Sequence, residues 1–290
     1  MASCIAAALL LAACAPGGAA APVTGSAAAP TSPSAGALPD PGHVVVVVFE
    51  NKDASSINAS TAPYLTSLAS HGALLTDSHG VDHPSQPNYL ALFSGSTQGV
   101  HDDSCPQTFS GQSLGGQLLA AGKTFAGYSE GLPSAGYTGC TSGDYARKHN
   151  PWVDFSSLPA SVNQPLTAIP ADYSKLPTVS FVIPDLCHDM HDCSIGTGDS
   201  WARDHLSSYV SWADSHNSLL VVTFDEDEGS QANGIVTLLV GPMVRAGATS
   251  DQYVDHFGML RTLEDMFGLP ALGKAAGEKP ISGIWQPAGE

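Results

Sequence analysis

The sequence has little positive charge. It contains 10 Lys and Arg against 27 Asp and Glu, which gives a formal net charge of −17. At physiological salt this charge repels polyanions over a Debye length of about 8 Å. The balance therefore makes nucleic acid and anionic membrane surfaces poor candidates as partners. A small anionic ligand would have to be held by local cations, either metal ions or single side chains, because the overall field opposes its binding.

The sequence also lacks a hydrophobic run of about 20 residues, the length that spans a bilayer. The apolar segment 1–14 is shorter and stands where a secretory signal is expected. It ends in Leu11-Ala12-Ala13-Cys14, which resembles a bacterial lipobox, although no Lys or Arg precedes it. The segment predicts export and lipidation of Cys14, so that the protein is anchored to the outer face of the cytoplasmic membrane as a lipoprotein. Ordinary signal cleavage, with release as a secreted protein, is the alternative.

Charged and aromatic residues are almost absent from residues 15–40, where Ala, Pro, Gly, Ser and Thr dominate. Such a segment buries too little apolar surface to offset the entropy of ordering it, so we predict a disordered linker. Residues 41–290 remain, about 250 residues, a length that fits a single α/β domain. The hydrophobic content of 43% suffices for a sizeable core. We expect this domain to be a monomer.

Cysteine is scarce as well. Apart from Cys4 and Cys14 the chain has four cysteines and no C-x-x-C pair, which disfavours a zinc cluster. An even number in an exported chain favours two disulfide bonds, although four cysteines allow three pairings. The pairs that we expect are Cys105 with Cys140 and Cys187 with Cys193.

Four buried apolar runs are predicted to be β-strands, at residues 43–49, 179–183, 219–224 and 235–240. Continuous runs of this kind are typical of parallel strands that are covered on both faces. Helical patterns occur at residues 62–70, 114–121 and 199–217, and after Asp255. This alternation predicts an α/β fold with a doubly wound, mostly parallel central sheet, right-handed crossovers and helices on both faces.

Oxygen-bearing side chains come directly after these strands. Glu50 and Asn51 come after the first strand, and Asp225 and Glu226 come after the third. Because ligands bind at the carboxyl ends of such strands, we expect these four side chains to lie near one point, where they would need a cation. Oxygen donors favour Ca²⁺, Mg²⁺ or Mn²⁺ over Zn²⁺, although a nearby histidine would shift that balance. For any one of them, a helix cap or a solvated loop is the alternative.

Ser85 lies in a proline-containing loop that leads into an apolar helical pattern. The start of a helix presents free N–H groups and a positive dipole end, which favour an anion such as a phosphoryl group. The alternative is a serine N-cap without any chemical role.

Several short motifs together resemble the alkaline-phosphatase superfamily. In Ser85-Gln86-Pro87-Asn88 the sequence resembles the superfamily's nucleophile segment, where Pro-Asn comes two residues after Ser or Thr. The strand ends at Glu50-Asn51 and Asp225-Glu226 are similar to the branch that contains bacterial acid phosphatases and phospholipase C enzymes. Three more matches occur in order: Lys148-His149-Asn150-Pro151, Asp189-Met190-His191 before Gly198-Asp199-Ser200-Trp201, and His256 ahead of Leu260-Arg261-Thr262.

The resemblance implies a hydrolase of phosphoric ester bonds that works through a phosphoserine intermediate at Ser85. It implies that Asn88 binds the non-bridging phosphoryl oxygens. The other implied catalytic residues are Lys148, His149 and His256. The implied metal ligands are Glu50, Asn51, Ser85, Asp225 and Glu226. Separately, the segment 185–192 is acidic and contains histidine, so Asp185, Asp189 and His191 could form a second metal site. For this second site the alternative is a loop pinned by a Cys187–Cys193 disulfide.

The resulting hypothesis is an extracytoplasmic, metal-dependent acid phosphatase that hydrolyses small phosphate monoesters. A phosphodiesterase of the phospholipase C type is one alternative. A non-catalytic surface lipoprotein that binds metal is the other.

Overall fold

The computed structural model describes residues 38–287. The predicted export segment 1–14, including Cys14, and residues 15–37 of the predicted linker lie outside the described residues. Within residues 38–287, no helix has both the length and the apolar character needed to cross a membrane.

The described chain alternates strands and helices. The strands are β1 His43–Phe49, β2 Ala73–His79, β3 Phe125–Ser129, β4 Thr141–Ser142, β5 Tyr145–Ala146, β6 Asn163–Pro165, β7 Val179–Ile183, β8 Ser218–Phe224, β9 Gly234–Val240, β10 Ala248–Ser250 and β11 Val254–Asp255. The α-helices are α1 Pro63–His71, α2 Ser85–Ser94, α3 Leu114–Ala120, α4 Ile195–Ala213 and α5 His256–Met266. Short 3₁₀ turns lie between these elements, one of them at Arg147–His149.

Nine of the strands form one mixed sheet in the order β10-β2-β9-β8-β1-β7-β3-β6, with β11 paired to β2. The block β8-β1-β7-β3-β6 is entirely parallel. Strand β9 runs antiparallel to both of its neighbours, β8 and β2. The predicted α/β class with a mostly parallel central sheet is confirmed, and β9 is the exception within it.

Strand β1 shows why its sequence is an unbroken apolar run. Val44, Val46 and Val48 belong to one hydrophobic cluster, which includes side chains of α2, α3 and α5. Val45, Val47 and Phe49 belong to the cluster on the other face, with α1 and α4. Since successive side chains of a strand point to opposite faces, a strand covered on both sides is apolar at every position.

Both expected disulfides are present. Cys105 is bonded to Cys140, with their Cα atoms 5.9 Å apart. Cys187 is bonded to Cys193, with their Cα atoms 4.6 Å apart. The first bond ties the loop after α2 to the segment before β4, and the second closes a loop directly before α4.

Candidate active site

Two neighbouring strands place the predicted metal ligands side by side. Phe49 of β1 pairs with Phe224 of β8, so the residues directly after these strands emerge together. The backbone N–H of Asn51 donates to Asp225 Oδ1 at 3.0 Å, and its side-chain amide donates to Glu226 Oε1 at 3.2 Å. Asn51 has a φ of +49°, a left-handed conformation that asparagine tolerates better than most residues. The four residues therefore meet at one point, as the strand ends predicted.

Ser85 is the first residue of α2 and is 1% exposed. Its Oγ lies 2.8 Å from Glu50 Oε2 and 3.3 Å from Glu226 Oε1. The hydroxyl carries one proton, which it can donate to only one of these carboxylates at a time. The arrangement places a serine oxygen at a helix N-terminus and within the carboxylate cluster, which is the geometry expected of a metal-assisted nucleophile.

Asn88 has different partners from those expected of a phosphoryl ligand. Its Oδ1 accepts the backbone N–H groups of Val81 and Asp82 at 2.8 and 3.1 Å. Its Nδ2 donates to the carbonyls of Asp82 and Pro84 at 2.8 and 3.2 Å. Because the amide is fully buried and its groups bond within the preceding loop, Asn88 holds the loop that carries Ser85 instead of offering free donors to a ligand.

His149 lies between two carboxylates. Its Nε2 is 3.2 Å from Glu50 Oε1, and its Nδ1 is 3.4 Å from Asp189 Oδ2. The ring of Tyr89 stacks on it with centroids 5.0 Å apart, and the Tyr89 hydroxyl donates to Glu50 Oε1. Tyr89 was not among the residues predicted from sequence, since a tyrosine within an apolar helix is typical of a core position.

His256 contacts the backbone of Asp225. It is the first residue of α5, is 2% exposed, and its Nε2 contacts the backbone carbonyl of Asp225 at 2.5 Å. Since a carbonyl can only accept, Nε2 carries the proton in this contact. His256 therefore fixes the backbone at Asp225.

Lys148 contacts the site from its edge. Its Nζ donates to Asp103 Oδ2 at 2.8 Å. Burial lowers the pKa of Lys148, but the hydrogen bond to Asp103 and the charges of Glu50 and Asp225 outweigh that effect and raise the pKa above its usual value. Lys148 is therefore a cation in this structure.

The three residues of the predicted second metal site do not form one cluster. Asp189 joins the first site beside His149, as its contact with Nδ1 shows. Asp185 lies instead with Glu130 and His188, whose Nδ1 is 3.0 Å from Glu130 Oε2 and 3.1 Å from Asp185 Oδ1. His191 Nδ1 contacts the carboxylate of Asp192 at 2.7 Å.

His83 is a further contact that the sequence analysis missed. Its Nδ1 contacts Glu226 Oε2, and its Nε2 lies 3.1 Å from the carbonyl of Ser230. Its position two residues before Ser85 was the available signal.

The carboxylates are held at unusual pKa values. Burial, together with the charges of Asp225 and Asp189, raises the pKa of Glu50 well above its usual value. Burial raises the pKa of Asp189 to about 7 and, with the charge of Glu226, raises that of Asp225 to about 7. Burial also lowers the pKa of His149 well below its usual value. Negative charge is thus crowded in a space from which water is excluded.

These residues fit a divalent cation. Three buried polar atoms of this site have no hydrogen-bond partner within the described chain: His149 Nε2, Asp189 Oδ2 and Asp225 Oδ2. One ligand atom each from Glu50, His149 and Asp189 lies within 4.8 Å of the other two. Buried polar atoms without partners are rare in proteins, and a cation would satisfy the carboxylate oxygens and lower their pKa values. The mixed donor set admits Zn²⁺ or Mn²⁺ as well as Ca²⁺ or Mg²⁺.

Comparisons with known proteins agree with this geometry. The model of the Phosphoesterase family matches residues 54–270. A phosphatidylinositol-3-phosphatase from Mycobacterium tuberculosis is 49% identical over 253 residues, which cover 86% of this chain and 84% of that protein. An acid phosphatase from Aspergillus fumigatus is 33% identical over 227 residues, which cover 71% of this chain and 51% of that protein. The chain thus spans about half the length of this fungal relative.

Similar solved structures identify the fold of the chain. A protein of the alkaline phosphatase superfamily from Vibrio parahaemolyticus aligns with a TM-score of 0.57 and 14% identity, over 84% of this chain and 71% of that one. A phosphonate monoester hydrolase from Agrobacterium radiobacter aligns with a TM-score of 0.55 and 12% identity, over 83% and 78%. Together with the match of the family model, these findings show that the chain belongs to the phosphoesterase family, has the alkaline-phosphatase-like fold and is a hydrolase of phosphate esters.

Proposed function

We propose that the protein is an extracytoplasmic, metal-dependent phosphomonoesterase in which Ser85 is the nucleophile. The observation that carries this proposal is the position of Ser85 Oγ, 2.8 Å from Glu50 Oε2 at the N-terminus of α2. Both disulfides support an extracytoplasmic location, because such bonds persist in oxidising compartments.

The proposed reaction has two steps. Ser85 Oγ gives its proton to Glu50 Oε2 and attacks phosphorus, the bond from phosphorus to the leaving oxygen breaks, the leaving oxygen takes a proton from solvent, and a phosphoserine forms. Water then attacks the phosphoserine, the bond from phosphorus to Ser85 Oγ breaks, the proton held by Glu50 returns to that oxygen, and inorganic phosphate is released. Lys148 and the N–H groups at the start of α2 face the phosphoryl oxygens. The carboxylates, Asn51 and Ser85 would hold a divalent cation, which would supply positive charge that lowers the pKa of the Ser85 hydroxyl and offsets the charge of the phosphoryl group.

The remaining residues position these groups. Tyr89 orients Glu50 through its hydroxyl donor, and the ring of His149 lies between Glu50 Oε1 and Asp189 Oδ2. Asn88 holds the loop before Ser85, and His256 holds the backbone at Asp225. In this scheme Tyr89 and His256 position the metal ligands, and His149 Nε2, which has no hydrogen-bond partner within the described chain, is available to the cation.

We further propose phosphoinositide monoesters as a substrate class. The support is the 49% identity to a phosphatidylinositol-3-phosphatase, which extends over most of both chains. The acid phosphatases among the relatives support phosphate monoesters more generally. Because these relatives are phosphatases, they favour monoester substrates over the diesters that a phospholipase C cleaves.

The test is phosphate release by the full-length chain from a water-soluble phosphatidylinositol 3-phosphate, from p-nitrophenyl phosphate and from p-nitrophenylphosphorylcholine. Each is assayed with and without a chelator. We expect release from both monoesters, loss with the chelator, and recovery when a divalent metal is restored. Release from the choline diester alone would refute the monoesterase assignment.

Ser85→Ala should abolish turnover of every monoester, because the variant lacks the oxygen that attacks phosphorus. Ser94→Ala is the matched control, since Ser94 is buried at the opposite end of α2, where its Oγ bonds to the carbonyl of Leu90. Full activity in Ser85→Ala would rule out the proposed nucleophile.

A further inference from the structure

The N-terminus of α2 has fewer free donors than most helices. In an α-helix, the N-cap residue and the first three helical residues have N–H groups without a partner inside the helix. In α2 these positions are Pro84, Ser85, Gln86 and Pro87. Proline has no N–H group, so Ser85 and Gln86 supply the backbone donors at this end. Apart from the proposed metal ion, an anion at the nucleophile therefore depends on these two groups and on Lys148.

Asp103 already occupies two of those three donors. Its Oδ1 accepts the backbone N–H of Gln86 at 3.0 Å. Its Oδ2 accepts from Lys148 Nζ at 2.8 Å. One carboxylate thus bridges the helix N-terminus and the lysine with two oxygens, as two oxygens of a phosphoryl group would.

The surrounding loop holds Asp103 in this position. The bond between Cys105 and Cys140 anchors the loop two residues after Asp103. The carbonyl of Gln107 accepts from Arg147 Nη2 at 2.9 Å, and Arg147 directly precedes Lys148. With its amide nitrogen turned toward the loop, Gln86 donates to the carbonyls of residues 102 and 104 at 3.2 and 2.9 Å. The carboxylate is therefore fixed from both sides.

We infer that Asp103 sets the affinity of this enzyme for phosphate, because its carboxylate competes with phosphoryl oxygens for the Gln86 N–H and for Lys148. This inference rests on the proposed function, which places the phosphoryl group at Ser85. If the carboxylate stays when the ligand binds, the two anions repel each other, and if it moves away, its two charge-assisted hydrogen bonds are lost. Either route weakens binding of the substrate and of the product. Weak binding of inorganic phosphate also speeds its release.

The test removes the negative charge of Asp103 and keeps the shape of its side chain. In Asp103→Asn the side-chain oxygen can still accept the Gln86 N–H, while the negative charge is gone. We expect the dissociation constant of inorganic phosphate, measured by titration calorimetry with divalent metal present, to fall about tenfold, which corresponds to about 1.4 kcal/mol. The KM for p-nitrophenyl phosphate should fall by a similar factor. Asp103→Ala provides a second variant in which the charge is removed.

Asp102→Asn is the matched control. It removes the same charge one residue away, where the carboxylate accepts the backbone N–H of Ser104 at 3.0 Å. Its phosphate affinity should remain within twofold of the parent. If net charge alone mattered, Asp103→Asn and Asp102→Asn would strengthen phosphate binding by the same factor, and this result would overturn the inference.

Two other outcomes would also overturn it. One is an unchanged phosphate affinity in both Asp103 variants. The other is a fall in kcat with phosphate affinity and KM unchanged, which would make Asp103 a positioning residue for Lys148. Since phosphate calorimetry requires no turnover, its result is separate from the Ser85→Ala assay, which alone decides the nucleophile.

Discussion

Acidification should weaken metal binding, because protons compete with the cation for Asp189 and Asp225. Their pKa values of about 7 are raised above the usual 3.8. Below pH 7 these carboxyls are therefore protonated in the metal-free protein, and a cation must displace the protons to bind. Above pH 7 Asp189 and Asp225 are mostly ionised, so the pH dependence that these two groups cause should level off.

The magnitude can be worked out from proton linkage. Well below the pKa, each proton that must leave raises the apparent dissociation constant of the metal about tenfold per pH unit, or about 1.4 kcal/mol. A group with a pKa of about 7 is half ionised at pH 7.0, so between pH 7.0 and pH 5.5 one displaced proton corresponds to a factor of about 16, and two correspond to about 270. Because the two carboxyls share one buried site, the first proton to leave makes the second harder to remove, so we expect a value between these limits. Burial lowers the pKa of His149 well below its usual value, so this imidazole takes up protons less readily than a solvent-exposed histidine.

Titration calorimetry with Ca²⁺ or Mn²⁺ at pH 5.5, 6.5 and 7.5, in buffers of different ionisation enthalpy, measures the affinity and the protons released. We expect about one to two protons per metal at pH 6.5 and fewer at pH 7.5. Asp189→Asn should lower the release by about one proton. Asp172→Asn is the matched control, because Asp172 is exposed and its carboxylate accepts the backbone N–H of Ser174, away from this cluster. A metal affinity that is independent of pH, with no proton release, would refute the reasoning.

Two further substitutions test the residues that position the site. Tyr89→Phe keeps the stacking on His149 but removes the hydroxyl that donates to Glu50 Oε1. The free energy of unfolding, measured in urea, should therefore fall by about 1 to 3 kcal/mol. An unchanged urea midpoint would contradict this role. Asn88→Ala removes four hydrogen bonds within the loop before Ser85. It should lower the free energy of unfolding by about 2 kcal/mol or more, and it should also lower kcat. A variant of Asn88 that lost activity at unchanged stability would restore its assignment as a phosphoryl ligand.

The elements that the sequence predicted best are those with a strong local cause. Strands β1, β7, β8 and β9 are continuous apolar runs, and their predicted bounds agree with the structure to within one residue. Strand β2 was missed because its sequence ALLTDSH is half polar. Strand β3 was missed because its five residues include a glycine and a serine. Both are fully or partly buried by partners distant in sequence, which local patterns do not encode.

The site residues likewise divide into those that a local sequence pattern predicts and those that it does not. Strand ends predicted the meeting of Glu50 and Asp225, since adjacent parallel strands bring their carboxyl ends to the same edge of the sheet. The pairing of His149 with Asp189 joins segments 40 residues apart, and that of Lys148 with Asp103 joins segments 45 residues apart. No local pattern marks such pairs. The direction of the Asn88 amide, toward its own loop, also depends on how that loop folds back.

The scarcity of cationic side chains near Ser85 is a second reason for the proposed metal dependence. Arg147 is committed to Asp154, whose Oδ1 its Nε and Nη2 contact at 3.1 and 2.8 Å. Lys148 faces the start of α2 but is already paired with Asp103. A phosphoryl dianion that enters the site would thus meet several buried carboxylates and little free positive charge. Only a cation bound among those carboxylates can reverse the local sign, and for this reason we base the proposed metal dependence on the charge balance as well as on the family resemblance.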